Sequence, residues 1–178
     1  MKNLLRDILG TIGLAVAIFL IIHATLQNFI VVGPSMETSF HDGERLLVVK
    51  SRLAYAFHDP ERGDVIVFQP PSNSKRDFIK RTIGLPGDEI EIKDREVYVN
   101  GTALDEPYIN DSPSYTYPLT EVPEGQYFVL GDNRNISNDS HNSWVVPRKN
   151  IIGKAWLLIW PPEYWGPVPD YSLGEQLK

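Results

Sequence analysis

One long apolar segment opens the chain, and many short apolar runs separated by turn residues follow it. From Ile8 to Ile22 the sequence contains only apolar residues, Gly and Thr, and His23-Ala24-Thr25-Leu26 extends the segment. Its length is near the ~20 residues that a helix needs to cross a bilayer. The pattern therefore predicts a transmembrane anchor at residues 8–26, followed by a separate body at residues 27–178.

The charges that flank this segment predict its orientation. Lys2 and Arg6 precede it and are partly offset by Asp7. By the positive-inside rule, residues 1–7 stay in the cytosol and residues 27–178 form an extracytoplasmic domain. A cleaved signal peptide is the alternative, because the uninterrupted apolar core is short. The sequence has no Ala-x-Ala-like site before the first predicted strand, which disfavours that alternative.

The body is predicted to consist of short strands. Apolar runs and polar–apolar alternation predict strands at residues 29–32, 45–50, 65–68, 78–83, 89–92, 96–99, 127–130 and 151–160. Residues 102–125 are rich in Pro, Ser, Asp and Tyr and are predicted to form an extended loop. Many short strands at close spacing indicate a mainly β fold of coiled antiparallel sheets or a partly open barrel, carrying one N-terminal transmembrane helix.

Composition narrows the class of protein. The chain has 178 residues, of which 42% are hydrophobic, so it can form one cored domain plus an anchor. The net charge of −6 argues against nucleic acid as a partner, since phosphate binding needs a basic surface. There are no cysteines, and the histidines lack H-E-x-x-H spacing, so we expect no metal and no cofactor.

The first candidate for chemistry is Ser35, in Gly33-Pro34-Ser35-Met36. It lies 13 positions after Ile22. At a maximum of roughly 3.5 Å per residue, it must lie close to the outer surface of the membrane. A serine hydroxyl is a weak nucleophile and needs a neighbouring base, and no Gly-x-Ser-x-Gly motif indicates the usual hydrolase triad.

Lys80 is the candidate base. In a strand it shares a face with Phe78 and Thr82, and burial among apolar groups would favour its neutral form. The alternative is that Lys80 and Arg81 form a solvated pair at a strand end. A third motif, Gly131-Asp132-Asn133-Arg134, could support the site, or could be a structural turn with an internal salt bridge.

These motifs, taken together and in this order, resemble those of the type I signal peptidases, which are membrane-bound Ser/Lys proteases. The resemblance spans residues 29–160. It depends on four segments, which are 33–36, 62–68, 79–88 and 131–134 with Ser137, Asp139 and Ser140. It implies a serine endopeptidase that cleaves the signal peptides of secretory preproteins after small residues. The short chain with a single anchor is similar to the compact form of the family.

The resemblance also implies roles for individual residues. Ser35 would attack the scissile carbonyl and its N–H would be an oxyanion donor, while Lys80 would be the general base. Ser137 would orient Lys80. The other residues implied fall into two groups: Asp132, Arg134 and Asp139 would brace the site, and Phe29, Val31, Phe40 and Ile79 would line shallow apolar pockets for the substrate.

Four positions depart from the family pattern. Gly33 stands where many members have a hydroxyl residue as second oxyanion donor. Thr38 replaces a usual Pro, Ile136 a usual Asn, and His141 a common Arg. A bracing ion pair between His141 and Asp139 would depend on the charge of the imidazole.

Two other functions are compatible with parts of the pattern. Self-cleaving repressor-type Ser/Lys proteases share the chemistry, but carry DNA-binding or soluble segments instead of an anchor. A catalytically silent, membrane-anchored binding module is the other alternative, against which Ser35, Lys80 and Ser137 argue. If the dyad were wrong, His141 would be the next base to test.

The expected location is a bacterial-type plasma membrane, crossed once, or the thylakoid membrane in a photosynthetic source. The lipid bilayer is therefore an expected partner. Trp156, Trp160, Tyr164 and Trp165 cluster near the C-terminus and could lie at the bilayer interface. For Trp156 and Trp160 we expect core packing instead.

Overall fold

A computed structural model describes residues 2–71, 76–171 and 173–177; the side chains of residues 2–5 are outside this description. The elements are listed here in chain order: α1 Lys2–Thr25, β1 Leu26–Ile30, β2 Arg45–Lys50, α2 Ser51–Ala54, β3 Val65–Phe68, β4 Phe78–Gly84, β5 Glu89–Lys93, β6 Glu96–Val99, β7 Thr102–Ala103, β8 Tyr117–Glu121, β9 Gln126–Leu130, β10 Val146–Pro147, β11 Ile151–Trp160 and β12 Gly166–Pro167. Three short 3-10 turns complete the described structure.

The helix α1 carries the predicted anchor. Its apolar part, Arg6–Thr25, has 20 residues and none of it is buried against the rest of the protein. This length is sufficient to cross a bilayer. The strand β1 begins at the next residue, Leu26, and Lys50 Nζ at the end of β2 donates a 2.7 Å hydrogen bond to the carbonyl of His23. The helix is therefore joined to the sheet without an intervening loop.

The body contains two antiparallel sheets. The larger has the order β1-β2-β11-β3-β4-β9-β10, with β12 added to β11, and the smaller has the order β7-β6-β5-β8. Both are open at their edges among the described residues. The predicted mainly β fold of coiled antiparallel sheets is confirmed.

The strand β3 shows how sequence produces this packing. All four of its residues are buried. Val65 and Val67 pack into one apolar cluster, while Ile66 and Phe68 pack into another on the opposite face. A strand covered on both faces reads as a continuous apolar run, which is the pattern in the sequence. The partner strand β4 therefore lies deep in the body, where it carries Lys80.

The structure corrects three predictions. Residues 102–125 are not a continuous loop, since they contain β7 and β8. The first strand lies at Leu26–Ile30 instead of 29–32, because it continues directly from the helix. Trp156 and Trp160 do not pack in the core: their side chains are 51% and 53% exposed.

Candidate active site

The segment that carries Ser35 is a tight turn between β1 and β2. Gly33 has φ of +85°, a conformation that favours glycine, and its N–H donates to Asp42 Oδ1 at 2.7 Å. Met36 is completely buried and fixes the turn to the core. Ser35 is thus presented by a short segment anchored on both sides.

Lys80 lies next to this serine. Its Nζ is 2.6 Å from Ser35 Oγ and 2.8 Å from the carbonyl oxygen of Ile79. The side chain is only 3% exposed, and Nζ lies 5.6 Å from the centre of the Phe78 ring. The interpretation of Lys80 and Arg81 as a solvated pair is wrong, because both are buried.

Burial changes the acid–base behaviour of Lys80. Desolvation lowers the pKa of its ammonium from 10.5 to about 8, against the opposing effect of the Asp139 and Asp132 carboxylates. The amine is then mainly protonated at pH 7 and becomes mainly neutral above about pH 8, far below the range of an ordinary lysine. A neutral amine at 2.6 Å can accept the proton of the Ser35 hydroxyl as the oxygen attacks.

The turn after β9 contacts the segment that carries Ser35 and follows a strand paired with β4. The carbonyl of Ser35 accepts a 3.2 Å hydrogen bond from the N–H of Asn133, and that of Pro34 accepts one of 3.1 Å from Asn133 Nδ2. In the antiparallel pairing Arg81 of β4 lies opposite Leu130, the last residue of β9. The residues 131–134 therefore join the nucleophile turn to the strand of the base.

Gly131 is required by this close approach. A Cβ at this position would overlap Ser137 Oγ and the carbonyl oxygen of Ser35. Ser137 Oγ is buried without a hydrogen-bond partner among the described residues. The hydrogen bond from Ser137 to Lys80, which the resemblance implies, is therefore absent from the described structure.

The Asp139 carboxylate connects the turn at residues 131–134 to His141. Its Oδ2 accepts a 2.8 Å hydrogen bond from the N–H of Gly131, and its Oδ1 lies 2.7 Å from Nδ1 of His141. The imidazole also stacks on the Tyr115 ring at 4.1 Å. His141, which the resemblance places where an arginine is common, thus contacts the Asp139 carboxylate.

Two buried arginines hold the turn through ion pairs, Arg81 from the strand β4 and Arg134 from within the turn itself. Arg81 forms a double interaction with Asp132, with Nε at 3.0 Å from Oδ1 and Nη2 at 2.7 Å from Oδ2. Arg134 pairs with Glu106 instead. The predicted internal salt bridge of Gly131-Asp132-Asn133-Arg134 is therefore not formed.

Sequence reasoning missed Glu106 and Tyr108, which lie in the segment predicted to be a loop. The Tyr108 ring lies 4.2 Å from the Arg81 guanidinium, its hydroxyl donates to Glu106 Oε1 at 2.5 Å, and its carbonyl accepts a 2.8 Å hydrogen bond from Thr38. The only signal available was a Tyr two residues after a Glu within a Pro-rich segment.

An apolar cleft of about 510 Å³ opens beside Ser35 and Lys80. Phe29 and Ile79 line it as expected, together with Ile136, which is 65% exposed. Val31 and Phe40 do not line it: they are buried in the core cluster behind Ile79. Their expected place in the cleft wall is corrected to a supporting position beneath it.

Comparisons with known proteins agree with this geometry. Residues 4–160 match the family model "Signal peptidase, peptidase S26". The chain is 44% identical to the probable signal peptidase I-2 of Synechocystis sp. over 149 residues, covering 81% of this chain and 67% of that protein. It is 39% identical to the signal peptidase I of Leptolyngbya laminosa, covering 94% and 87% of the two chains.

More distant relatives extend the comparison. The signal peptidase IB of Staphylococcus aureus is 33% identical, with 90% and 91% of the two chains covered. A crystal structure of a signal peptidase I from Enterococcus faecalis is 37% identical and covers 54% of this chain and 96% of that chain, with a TM-score of 0.47. By the extent of the family match and the identity to its relatives, the chain belongs to the signal peptidase family, peptidase S26.

Proposed function

We propose that this chain is a membrane-bound serine endopeptidase that removes N-terminal signal peptides from exported preproteins after small residues. The observation that carries the proposal is the contact of 2.6 Å between Lys80 Nζ and Ser35 Oγ, at the edge of an apolar cleft. A buried lysine of lowered pKa beside a serine is the arrangement that activates a hydroxyl without histidine.

The reaction begins when Ser35 Oγ attacks the scissile carbonyl carbon while Lys80 accepts the hydroxyl proton. The Ser35 N–H donates to the developing oxyanion. Lys80 then passes the proton to the leaving amine, and the acyl-enzyme remains on Ser35. Lys80 next removes a proton from water as the water oxygen attacks the acyl carbon. The bond from that carbon to Ser35 Oγ then breaks, Ser35 Oγ takes the proton back from Lys80, and the signal peptide leaves with a C-terminal carboxylate.

Four polar residues keep this geometry without reacting. Asp132 and Arg134 hold the turn through Arg81 and Glu106, and Asp139 holds the N–H of Gly131. Ser137 would orient Lys80 when the substrate fills the cleft. Gly33 cannot supply the second oxyanion donor through its N–H, since that group already donates to Asp42.

We place α1 across the plasma membrane, with residues 1–7 in the cytosol and the sheets outside; in a photosynthetic host the thylakoid membrane is the second site to examine by fractionation. The chain has no cysteine, so single Lys2→Cys and Lys149→Cys variants can each be labelled at one position. In intact cells, a membrane-impermeant maleimide should label only the second. Labelling of the first alone would reverse the proposed topology.

The exposed aromatic residues near the C-terminus support contact with lipid. Trp156, Trp160 and Trp165 are each more than half exposed, whereas Trp144 packs against Phe68. With the full chain in vesicles, brominated lipids should quench tryptophan fluorescence, and replacing the three exposed tryptophans with Phe should remove the quenching. Quenching that remains would come from Trp144 and would contradict this placement.

The test of the enzyme is cleavage of a purified preprotein in detergent by wild type, Ser35→Ala, Lys80→Ala and His141→Gln. We expect wild type and His141→Gln to cut after a small residue, and the other two to be folded but inactive. A folded wild type that cuts no preprotein would favour a binding module. Activity retained by Lys80→Ala together with loss in His141→Gln would make the histidine the base.

A further inference from the structure

The C-terminal strap, which we define as residues 168–177, lies beyond the segment that matches the family model. It leaves the large sheet where Val168 N–H donates to the carbonyl of Trp156 at 3.0 Å. Leu173 is completely buried in the cluster formed with the small sheet. The strap is therefore packed against the body through Leu173 and through the partly buried side chains of Val168, Tyr171 and Leu177.

The strap reaches the buried arginine next to Lys80. The guanidinium carbon of Arg81 lies 5.1 Å from the centre of the Tyr171 ring and 4.2 Å from that of Tyr108. The two rings contact each other, with centres 4.9 Å apart. Arg81 is fully buried, so the ring of Tyr171 is one of the two aromatic groups that cover it.

The strap also contacts the groups that hold the two arginines. Leu173 lies beside Gly63, since a Cβ added to that glycine would lie 3.7 Å from Leu173 Cγ. The carbonyl of Gly63 accepts a 3.0 Å hydrogen bond from Arg81. Gln176 makes two hydrogen bonds to the backbone of Asp105, of 2.8 and 3.0 Å. Asp105 precedes Glu106, the partner of Arg134, so Gln176 holds the backbone next to the second ion pair.

We propose that the strap positions the catalytic turn through Arg81, with Tyr171 as a positioning residue for the reaction of Ser35 and Lys80. This inference rests on the proposed function. The contacts run from Tyr171 to Arg81, from Arg81 to Asp132, and from that turn to the Ser35 carbonyl. None of the described strap residues, 168–171 and 173–177, lines the substrate cleft.

The physical reason is that the Tyr171 ring stabilises the Arg81 guanidinium and keeps water away from it. A cation over an aromatic ring is stabilised by the ring's negative face, and more strongly when water is excluded. Without the Tyr171 ring, water can reach Arg81, and the guanidinium can leave the plane of the Asp132 carboxylate. The turn would then move relative to Ser35, and a small displacement at a reacting centre has a large effect on rate.

The experiment compares preprotein cleavage by the full chain, Tyr171→Ala and Tyr171→Phe across pH. We expect Tyr171→Ala to lower kcat about tenfold with KM changed less than about twofold. Its acidic limb should move to higher pH, because hydration near Lys80 favours the ammonium. Tyr171→Phe keeps the ring and should behave as wild type. An unchanged kcat and pH profile in Tyr171→Ala would overturn the proposal.

A matched control separates positioning from general loss of an aromatic–cation contact. Tyr98 lies 5.0 Å from Lys93 on the small sheet, away from the catalytic turn. Tyr98→Ala should leave both kcat and the pH profile unchanged, and an equal loss there would contradict the proposal. If Tyr171→Ala does not fold, Tyr171→Leu retains apolar cover without the ring and should show the same direction of change.

The same assay separates the proposed peptidase function from the proposed role of the strap. If the wild type cleaves no preprotein, the proposed function fails before the strap is tested. If the wild type cleaves and Tyr171→Ala cleaves equally, only the role of the strap fails. Near-ultraviolet circular dichroism of each variant at the assay temperature shows that the compared proteins are folded.

Discussion

Asp132 forms its ion pair with Arg81, which is 51 positions earlier in the chain, although Arg134 is only two positions away. Both partners are completely buried, and the interaction joins β4 to the turn after β9. Because Lys80 precedes Arg81 and the Asp132 turn contacts Ser35, this ion pair connects the base to the nucleophile through the scaffold.

Replacing Arg81 with Met should therefore reduce stability strongly. The Asp132 carboxylate would remain buried without a cation, which typically costs about 3–5 kcal/mol of unfolding free energy. Urea unfolding in detergent, followed by circular dichroism, would measure this loss. Lys93→Met, which removes an exposed partner of Glu91, should leave the midpoint nearly unchanged. A small loss in Arg81→Met would show that the pair is solvated.

The pH dependence of cleavage should follow the ionisation of Lys80. The base must be neutral, and the pKa of this amine is lowered to about 8 by burial. Activity should therefore fall as pH decreases through about 8 and approach a plateau above it. A kcat/KM profile between pH 6 and 10 checks this expectation. An acidic limb centred near pH 10 would show that Lys80 is hydrated in the active enzyme.

Lys80→Met should increase stability at neutral pH while abolishing cleavage. The folded pKa of about 8 lies below the unfolded value of 10.5, so at pH 7 the folded protein holds an unfavourable buried ammonium. The difference between the two pKa values corresponds to about 3 kcal/mol of unfolding free energy.

The pH course of this effect follows from the same two values. Between about pH 8 and 10.5 the unfolded state binds more protons, so wild-type stability gains with pH and the advantage of Lys80→Met shrinks. Urea unfolding at pH 7 and pH 10 measures both variants. Lys149→Met, at an exposed lysine, should show no such advantage.

Gly131→Ala should damage the site more than the core. Its Cβ would overlap Ser137 Oγ and the Ser35 carbonyl oxygen, so the two turns must separate. We expect a loss of about 1–3 kcal/mol in stability and of about 100-fold in kcat. Gly166→Ala, whose Cβ would meet only the Tyr164 carbonyl at 3.9 Å, is the control. Equal kcat in the two variants would refute the close-approach argument.

Much of the fold follows from local pattern. The strand β3 is an apolar run of four residues and β11 is a mainly apolar run of ten, and the predicted bounds of both coincide with the observed ones. The strand β8 was missed because four of its five residues, after Tyr117, are exposed and one is a proline. It is held by pairing with β5, which is information outside its own sequence.

The motifs of the site could be predicted from the sequence, but the ion pairs between them could not. Ser35 and Lys80 were expected to meet, and the structure brings them together. The partners of the two arginines were not predictable, because the pairings of Arg81 with Asp132 and of Arg134 with Glu106 depend on the tertiary fold. Only the fold shows that the side chains of Arg81 and Glu106 are enclosed, and that Tyr108 contacts both.

The direct connection from helix to sheet fixes how far the cleft lies from the end of the helix. Leu26 begins β1 immediately after Thr25, and Lys50 Nζ donates a hydrogen bond to the His23 carbonyl. The height of the cleft above the end of the helix is therefore set by continuous secondary structure. We expect this fixed height to favour cleavage of a bond that the substrate presents at one distance from the membrane surface.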